Sequence, residues 1–229
     1  MMSRDPNVDS VELVVHELGS LCDELVLVGG CATGLLITDK ARPSVRATKD
    51  VDLVAEVVSI ANYYSLEKKL KALGFSNGKD EVICRWQKGV LLIDVMPTKE
   101  IGFGSTNRWY PLVVKYAEKH ILPSGKSIRM VSAALFLATK LEAFHGRGNG
   151  DYSHHDIEDI VNLVDGRIEL IDEVEIAEES VKNYIMQEFD DLLADPIFTE
   201  RLPWHLNTDD ASQRRVSMVL ERFRKIAGL

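Results

Sequence analysis

The sequence predicts an α/β (α+β) fold, a mixed-sheet core followed by a helical C-terminal region. Three observations predict it. Short apolar runs bounded by glycine or proline alternate with helix-period segments as far as residue 130. Beyond Ser132 the strand signals stop and helical periods take over. With 229 residues, 45% of them hydrophobic, the chain can form one large domain or two small ones with a true core. The change in character places a mixed domain at 1–130 and a helical domain at 131–229.

The elements follow in order. Val11, Val14, Val15 and Leu18 fall on a helical period, so Ser10–Leu18 reads as a helix capped by Asp9 or Ser10 and stopped by Gly19. Leu25–Val28 is a short apolar strand, broken by Gly29-Gly30, and Cys31–Ile37 is a helix. Residues 38–49 form a polar loop with Pro43 and the basic residues Lys40, Arg42 and Arg46. Asp50–Val54 is a second strand, and Ser59–Leu73 a helix that Gly74 ends. Glu81–Gln87 and Val90–Met96 are strands around a Lys88-Gly89 turn. Residues 99–111 read as a loop carrying Trp109. A second hairpin pairs Glu118–Leu122 with Ser127–Val131. Helices are then expected over Ala133–His145 (capped by Ser132), His155–Val164, Glu169–Ala194 and Asp209–Ile226, with a break at Pro196.

A net charge of −9 argues against a broad nucleic-acid coat. Three cysteines, Cys22, Cys31 and Cys84, have no metal-ligand spacing and read as reduced, packed thiols. No signal-peptide pattern opens the chain, and no apolar run approaches the roughly 18 residues of a membrane span. The expected location is cytoplasmic, with no membrane partner.

Asp50 and Asp52 carry the strongest chemical signal. Two carboxylates one residue apart on a strand point to one face. Asp94 lies in the apolar run Val90–Met96, where a carboxylate is costly to desolvate unless a positive charge meets it. Three converging carboxylates repel one another, and a divalent cation removes that conflict. Mg²⁺ prefers carboxylates together with substrate phosphates and water. Upstream, a strand runs through Gly29-Gly30 into a helix, where glycine admits close approach and free N–H groups face an anion. Alone, Gly-Gly is a tight turn and Asp-x-Asp a solvated strand end. Together they describe a triphosphate and metal site.

This pattern resembles the nucleotidyltransferase superfamily with the DNA polymerase β-type core: Gly29-Gly30, then Asp50-Val51-Asp52, then Asp94 on a neighbouring strand. Lys140-Leu-Glu-Ala143-Phe-His-Gly-Arg147 followed by Asp156-Ile-Glu-Asp159 is similar to the AbiEii-type branch, which includes toxins of toxin–antitoxin and phage-abortive systems. The resemblance spans residues 24 to 164; the turn is Gly-Gly where many members have Gly-Ser.

The resemblance implies transfer of a nucleoside monophosphate from an NTP to an acceptor hydroxyl, with release of pyrophosphate. It implies two Mg²⁺ ions, or Mn²⁺, held by the catalytic residues Asp50, Asp52 and Asp94. Gly29, Gly30, Thr48, Lys140 and Arg147 are the nucleotide-binding candidates, with Arg46 and Asp156 as accessory residues. The acceptor class stays open among tRNA, protein and small molecules, and a cognate antitoxin is an implied partner. Two rivals stand beside this reading. One is a catalytically silent nucleotidyltransferase-like binding protein or antitoxin. The other is a metal phosphohydrolase built on His145, His154, His155 and Asp156.

Overall fold

The structure, a computed structural model, describes residues 5–43, 45–77, 84–100 and 106–229. The chain divides into two compact units. One holds the described residues up to Leu35 together with Arg46–Ser132; the other holds Leu36–Val45 and Ala133–Leu229.

The first unit is built on a mixed sheet. Among the described residues its strands are β1 (Leu25–Leu27), β2 (Val51–Ala55), β3 (Ser76–Asn77), β4 (Arg85–Lys88), β5 (Leu91–Pro97), β6 (Glu118–Ile121) and β7 (Ser127–Met130). They lie side by side in the order β3-β4-β5-β2-β1-β7-β6. β1 lies inside the sheet and is wholly buried, as its unbroken apolar run requires. It runs antiparallel to β2 and parallel to β7, and β2 is parallel to β5. β4–β5 and β6–β7 are antiparallel hairpins. Gly89, at φ 60°, supplies the positive φ that the tight β4–β5 turn needs.

Helix α1 (Val8–Leu18) packs on β2 and β5 through an apolar stripe that includes Val11, Val14, Val15 and Leu18. It begins two residues before Ser10. Neither Asp9 nor Ser10 caps it, and the residue at the cap position, Asn7, is engaged elsewhere. Helix α2 (Gly29–Leu36) begins at the glycines themselves rather than after them. Helix α3 (Ile60–Ala72) is capped by Ser59, whose hydroxyl accepts from Asn62 N. Helix α4 (Tyr110–Lys115), with Pro111 in its first turn, occupies the end of a segment read from sequence as loop. The strand expected over Glu81–Gln87 is observed only from Arg85; its first residues lie outside the described ones.

In the second unit, α5 (Ala133–Arg147) packs against α6 (His155–Gly166), and the later helices close over them. The helix expected over Glu169–Ala194 is two helices, α7 (Leu170–Glu175) and α8 (Glu179–Ala194). Glu175, Glu178 and Glu179 crowd like charges at helical spacing, which disfavours a continuous turn there. Helix α9 (Pro196–Arg201) follows, capped by Asp195. The final helix is likewise divided, into α10 (Asp210–Gln213) and α11 (Val216–Ala227). At the division Arg215 donates to Asp165 Oδ1 and Asp39 Oδ2, both at 2.6 Å. Phe189, Phe198 and Phe223 form an aromatic core, with centroids 4.5 and 5.4 Å from that of Phe223.

The 38–45 stretch, read from sequence as part of a loop of the first half, belongs to this helical unit. Thr38 N and Asp39 N donate to Gly166 O at 3.0 and 2.8 Å. Arg42 Nε donates to the buried Asp165 at 3.0 Å. Gly166 leaves room for this segment, since a methyl group there meets Arg42 Cδ at 2.6 Å and Ile37 Cγ1 at 2.8 Å.

Candidate active site

β2, β5 and β4 are adjacent, and their registers align three ionic side chains. Asp52 on β2 is the Cα partner of Asp94 on β5, and Asp94 is the partner of Arg85 on β4. Laterally paired residues point to one face of a sheet, so these three form a row. Arg85 forks onto Asp94: Nε donates to Oδ1 at 2.8 Å and Nη2 to Oδ2 at 2.7 Å. The same Nη2 donates to Asp50 Oδ2 at 2.6 Å. One guanidinium thus draws together a carboxylate on β5 and one on the residue just before β2, which begins at Val51 and not at Asp50. The bonds to Asp94, with the nearby charge of Asp50, raise the Arg85 pKa above its ordinary value despite partial burial. Arg85 was not singled out from sequence.

Asp52 meets the glycine turn. Gly29 has φ +66° and is the first residue of α2. A methyl group on it would stand 1.9 Å from Asp52 Oδ2 and 2.6 Å from its carboxyl carbon. Only glycine lets the carboxylate lie at this helix N-terminus, where the peptide dipoles favour negative charge. Val28 N donates to Asp52 O at 3.0 Å, which fixes the two backbones together. Gly30, the next residue of α2, is buried.

The approach to Asp50 is braced from the N-terminus. Asn7, 1% exposed, donates from Nδ2 to Arg46 O at 3.0 Å, and its Oδ1 accepts from Thr48 N at 2.8 Å. Thr48 Oγ1 lies 3.2 Å from Asp50 O and 2.8 Å from Cys31 Sγ. The Thr48 hydroxyl therefore ties the Asp50 backbone to α2, and Arg46 contributes a backbone carbonyl to the same brace. Asn7 is far away in sequence, and nothing local signalled its part.

Burial holds all three cysteines toward the thiol form. Burial, with Asp52, Asp5 and Asp50 adding to it against the Thr48 hydrogen bond, pushes the Cys31 thiol up to about 12. Burial and the charge of Asp94 push Cys84 up to about 11. Burial raises Cys22 to about 11 as well.

Lys140, Arg147 and Asp156 lie in the helical unit. Lys140 is 5% exposed, and its Nζ lies 3.1 Å from Asp156 Oδ1 and 2.6 Å from Asp159 Oδ2. Arg147 donates to Asp156 from Nε at 2.8 Å and from Nη2 at 2.7 Å. Burial would raise the Asp156 pKa, but Arg147 and Lys140 outweigh it and hold the carboxyl at about 2. Asp156, Asp159, Asn162 and Asp165 form a buried stripe along α6, with Lys140 and Arg147 at one end and Arg42 and Arg215 at the other. The Lys-x-x-Ala-x-x-x-Arg and Asp-x-x-Asp segments are thus joined by ion pairs.

His154, His155 and Asp156 present ligand atoms within 4.8 Å of one another, the one such His/Cys/Asp/Glu group found among the described residues. Its carboxylate already accepts from Lys140 and Arg147, and His154 Nδ1 accepts from Asp156 N as the cap of α6. Two cations on the only anionic ligand make it a poor seat for a further cation. His145 pairs instead with Glu188 at 2.5 Å. Asp50, Asp52 and Asp94 do not form such a group: Asp52 and Asp94 are register partners, and the Arg85 guanidinium lies between Asp94 and Asp50.

No family model matches the chain, and no curated protein matches it. Among solved structures it is similar to an antigenic nucleotidyltransferase-like protein from Paracoccidioides brasiliensis, with a TM-score of 0.48 and 20% sequence identity, the match covering 84% of this chain and 93% of that chain. It is also similar to ANT(2″)-Ia, solved in complex with adenylyl-2″-tobramycin, with a TM-score of 0.42 and 16% identity, covering 75% of this chain and 92% of that chain.

Proposed function

We propose that this protein is a divalent-metal-dependent nucleotidyltransferase that moves a nucleoside monophosphate from an NTP to an acceptor hydroxyl. One observation carries the reading: Asp52 and Asp94 are register partners on parallel strands, and Asp50 converges with Asp94 on a single cationic nitrogen. Oxygen donors around a seated positive charge fit Mg²⁺, or Mn²⁺, and such ions neutralise a triphosphate and acidify an acceptor hydroxyl.

Asp50, Asp52 and Asp94 would hold the ions. Gly29 and Gly30, with the first N–H groups of α2, would line the phosphates. Thr48 and Asn7 fix the backbone that carries Asp50. Asp94 favours loss of the acceptor's hydroxyl proton. The acceptor oxygen then bonds to the α-phosphorus as the bond to the pyrophosphate oxygen breaks. Most of the rate gain comes from positioning and charge neutralisation.

The ion-paired Lys140–Arg147 and Asp156–Asp159 segments support placing the chain in the AbiEii-type branch, as the toxin of a toxin–antitoxin or phage-defence pair. Their ammonium and guanidinium groups serve α6, which supports a scaffolding role for Lys140 and Arg147 in place of direct phosphate contact. One feature favours the second reading, a silent binding protein or antitoxin: Arg85 already pairs with both Asp50 and Asp94.

The test is incubation of each labelled NTP with RNA, protein and small-molecule acceptor pools. Label transferred by wild type and lost in Asp52→Asn supports the enzyme. Equal labelling by both, or none by either, sinks it.

A further inference from the structure

Arg85 occupies the space in which a cation bridging Asp50 and Asp94 would sit. Its Nη2 lies 2.6 Å from Asp50 Oδ2 and 2.7 Å from Asp94 Oδ2, and its Nε takes the other oxygen of Asp94. Mg²⁺ binds oxygen at about 2.0–2.1 Å and tolerates little distortion. A guanidinium nitrogen and a bridging ion therefore cannot hold the same two oxygens at once. The Arg85 backbone is fixed by the β4–β5 register, and its strand neighbour Trp86 is 1% exposed. The side chain itself is 23% exposed, so it has water to swing into.

We propose that Arg85 is the resident counter-ion of the Asp50–Asp94 pair and sets how tightly the site takes a divalent cation. This rests on reading Asp50, Asp52 and Asp94 as the cation site. Two arrangements then compete. With arginine in, one of the two negative charges is offset and the carboxylates stay converged without metal. With metal in, the guanidinium is released. The apparent metal affinity is the intrinsic one reduced by the fraction of molecules whose arginine is out. A guanidinium that keeps these oxygens while metal binds elsewhere predicts no such competition.

The experiment is Mn²⁺ binding, followed by the free-Mn²⁺ paramagnetic resonance signal, on the full chain. The proteins compared are wild type, Arg85→Met, Arg85→Lys, Asp94→Asn and Asp52→Asn. The expected result is that Arg85→Met binds about tenfold tighter than wild type, with Arg85→Lys between them, while both aspartate variants bind more weakly. A second measurement stands if Arg85→Met fails to fold: the Arg85 Nε–H resonance in wild type should move as Mg²⁺ is added. Unchanged or weaker Mn²⁺ binding by a folded Arg85→Met, or an Arg85 resonance that stays in place at saturating Mg²⁺, overturns the proposal. Equal binding by wild type and both aspartate variants overturns the cation-site reading beneath it.

Discussion

The carboxylate of Asp52 lies where a side chain on Gly29 would begin, with Oδ2 only 1.9 Å from the position of a Cβ. The two motifs are therefore one piece of structure. The glycine gives the carboxylate its seat, and the carboxylate marks where the helix N-terminus and the sheet site meet.

Replacement of Gly29 by Ala should unseat Asp52. The positive φ alone costs about 1–3 kcal/mol in a non-glycine residue. The expected outcome is a folded, less stable protein whose Mn²⁺ binding and nucleotidyl transfer fall together. A thermal melt alongside Mn²⁺ binding checks this; loss of stability with unchanged metal binding contradicts it.

Asp94→Asn keeps the shape of the side chain and removes its charge. Transfer should fall by at least about 100-fold, as for loss of one group stabilising a transition state. The fold should hold, since the asparagine Oδ1 still accepts one of the two hydrogen bonds that Arg85 gives Asp94. Single-turnover transfer of labelled NMP, together with circular dichroism, measures both.

Lys140→Met leaves Asp156 and Asp159 buried with one partner fewer. Removing one member of a buried ion pair costs about 3–5 kcal/mol. Denaturant unfolding should show a loss of this size, partly restored in Lys140→Met combined with Asp159→Leu, which removes the orphaned charge. A loss below about 1 kcal/mol would assign the ammonium to a task other than holding α5 to α6.

Acid should strike the α5–α6 contact at low pH. The Asp156 pKa is about 2 in the folded protein, below its ordinary value of 3.8. A depressed carboxyl contributes stability above its unfolded pKa and loses it as pH falls through the folded one. The contribution is therefore complete above pH of about 4 and disappears toward pH 2, with a size of roughly 2 kcal/mol. Asp156→Asn should flatten stability across that window; an unchanged slope there refutes the assignment.

The aspartate pattern was legible because strand geometry is strict. Period two puts Asp50 and Asp52 on one face, and an acid inside Leu91–Pro97 must meet a positive group. The partner was missed because the two turn residues are Gly89 and Val90 rather than Lys88 and Gly89; that shift pairs Lys88 with Leu91, and so Arg85 with Asp94. Asn7 and the 38–45 segment were not legible. Asn7 acts on Arg46 and Thr48 across a long sequence gap, and Arg42 finds Asp165 only after α6 has formed. The divided helices were hidden for another reason: the apolar period continues past both breaks, and at the second one Arg215 is held by Asp165 and Asp39, distant in sequence.

Anomalous diffraction from crystals soaked with Mn²⁺ and a non-hydrolysable NTP bears most directly on the central claim. Peaks are expected among Asp50, Asp52 and Asp94, with the triphosphate against Gly29-Gly30 and Arg85 turned away. Ordered density for the nucleotide with no Mn²⁺ peak at those aspartates, or a peak at His154, His155 and Asp156 instead, contradicts it.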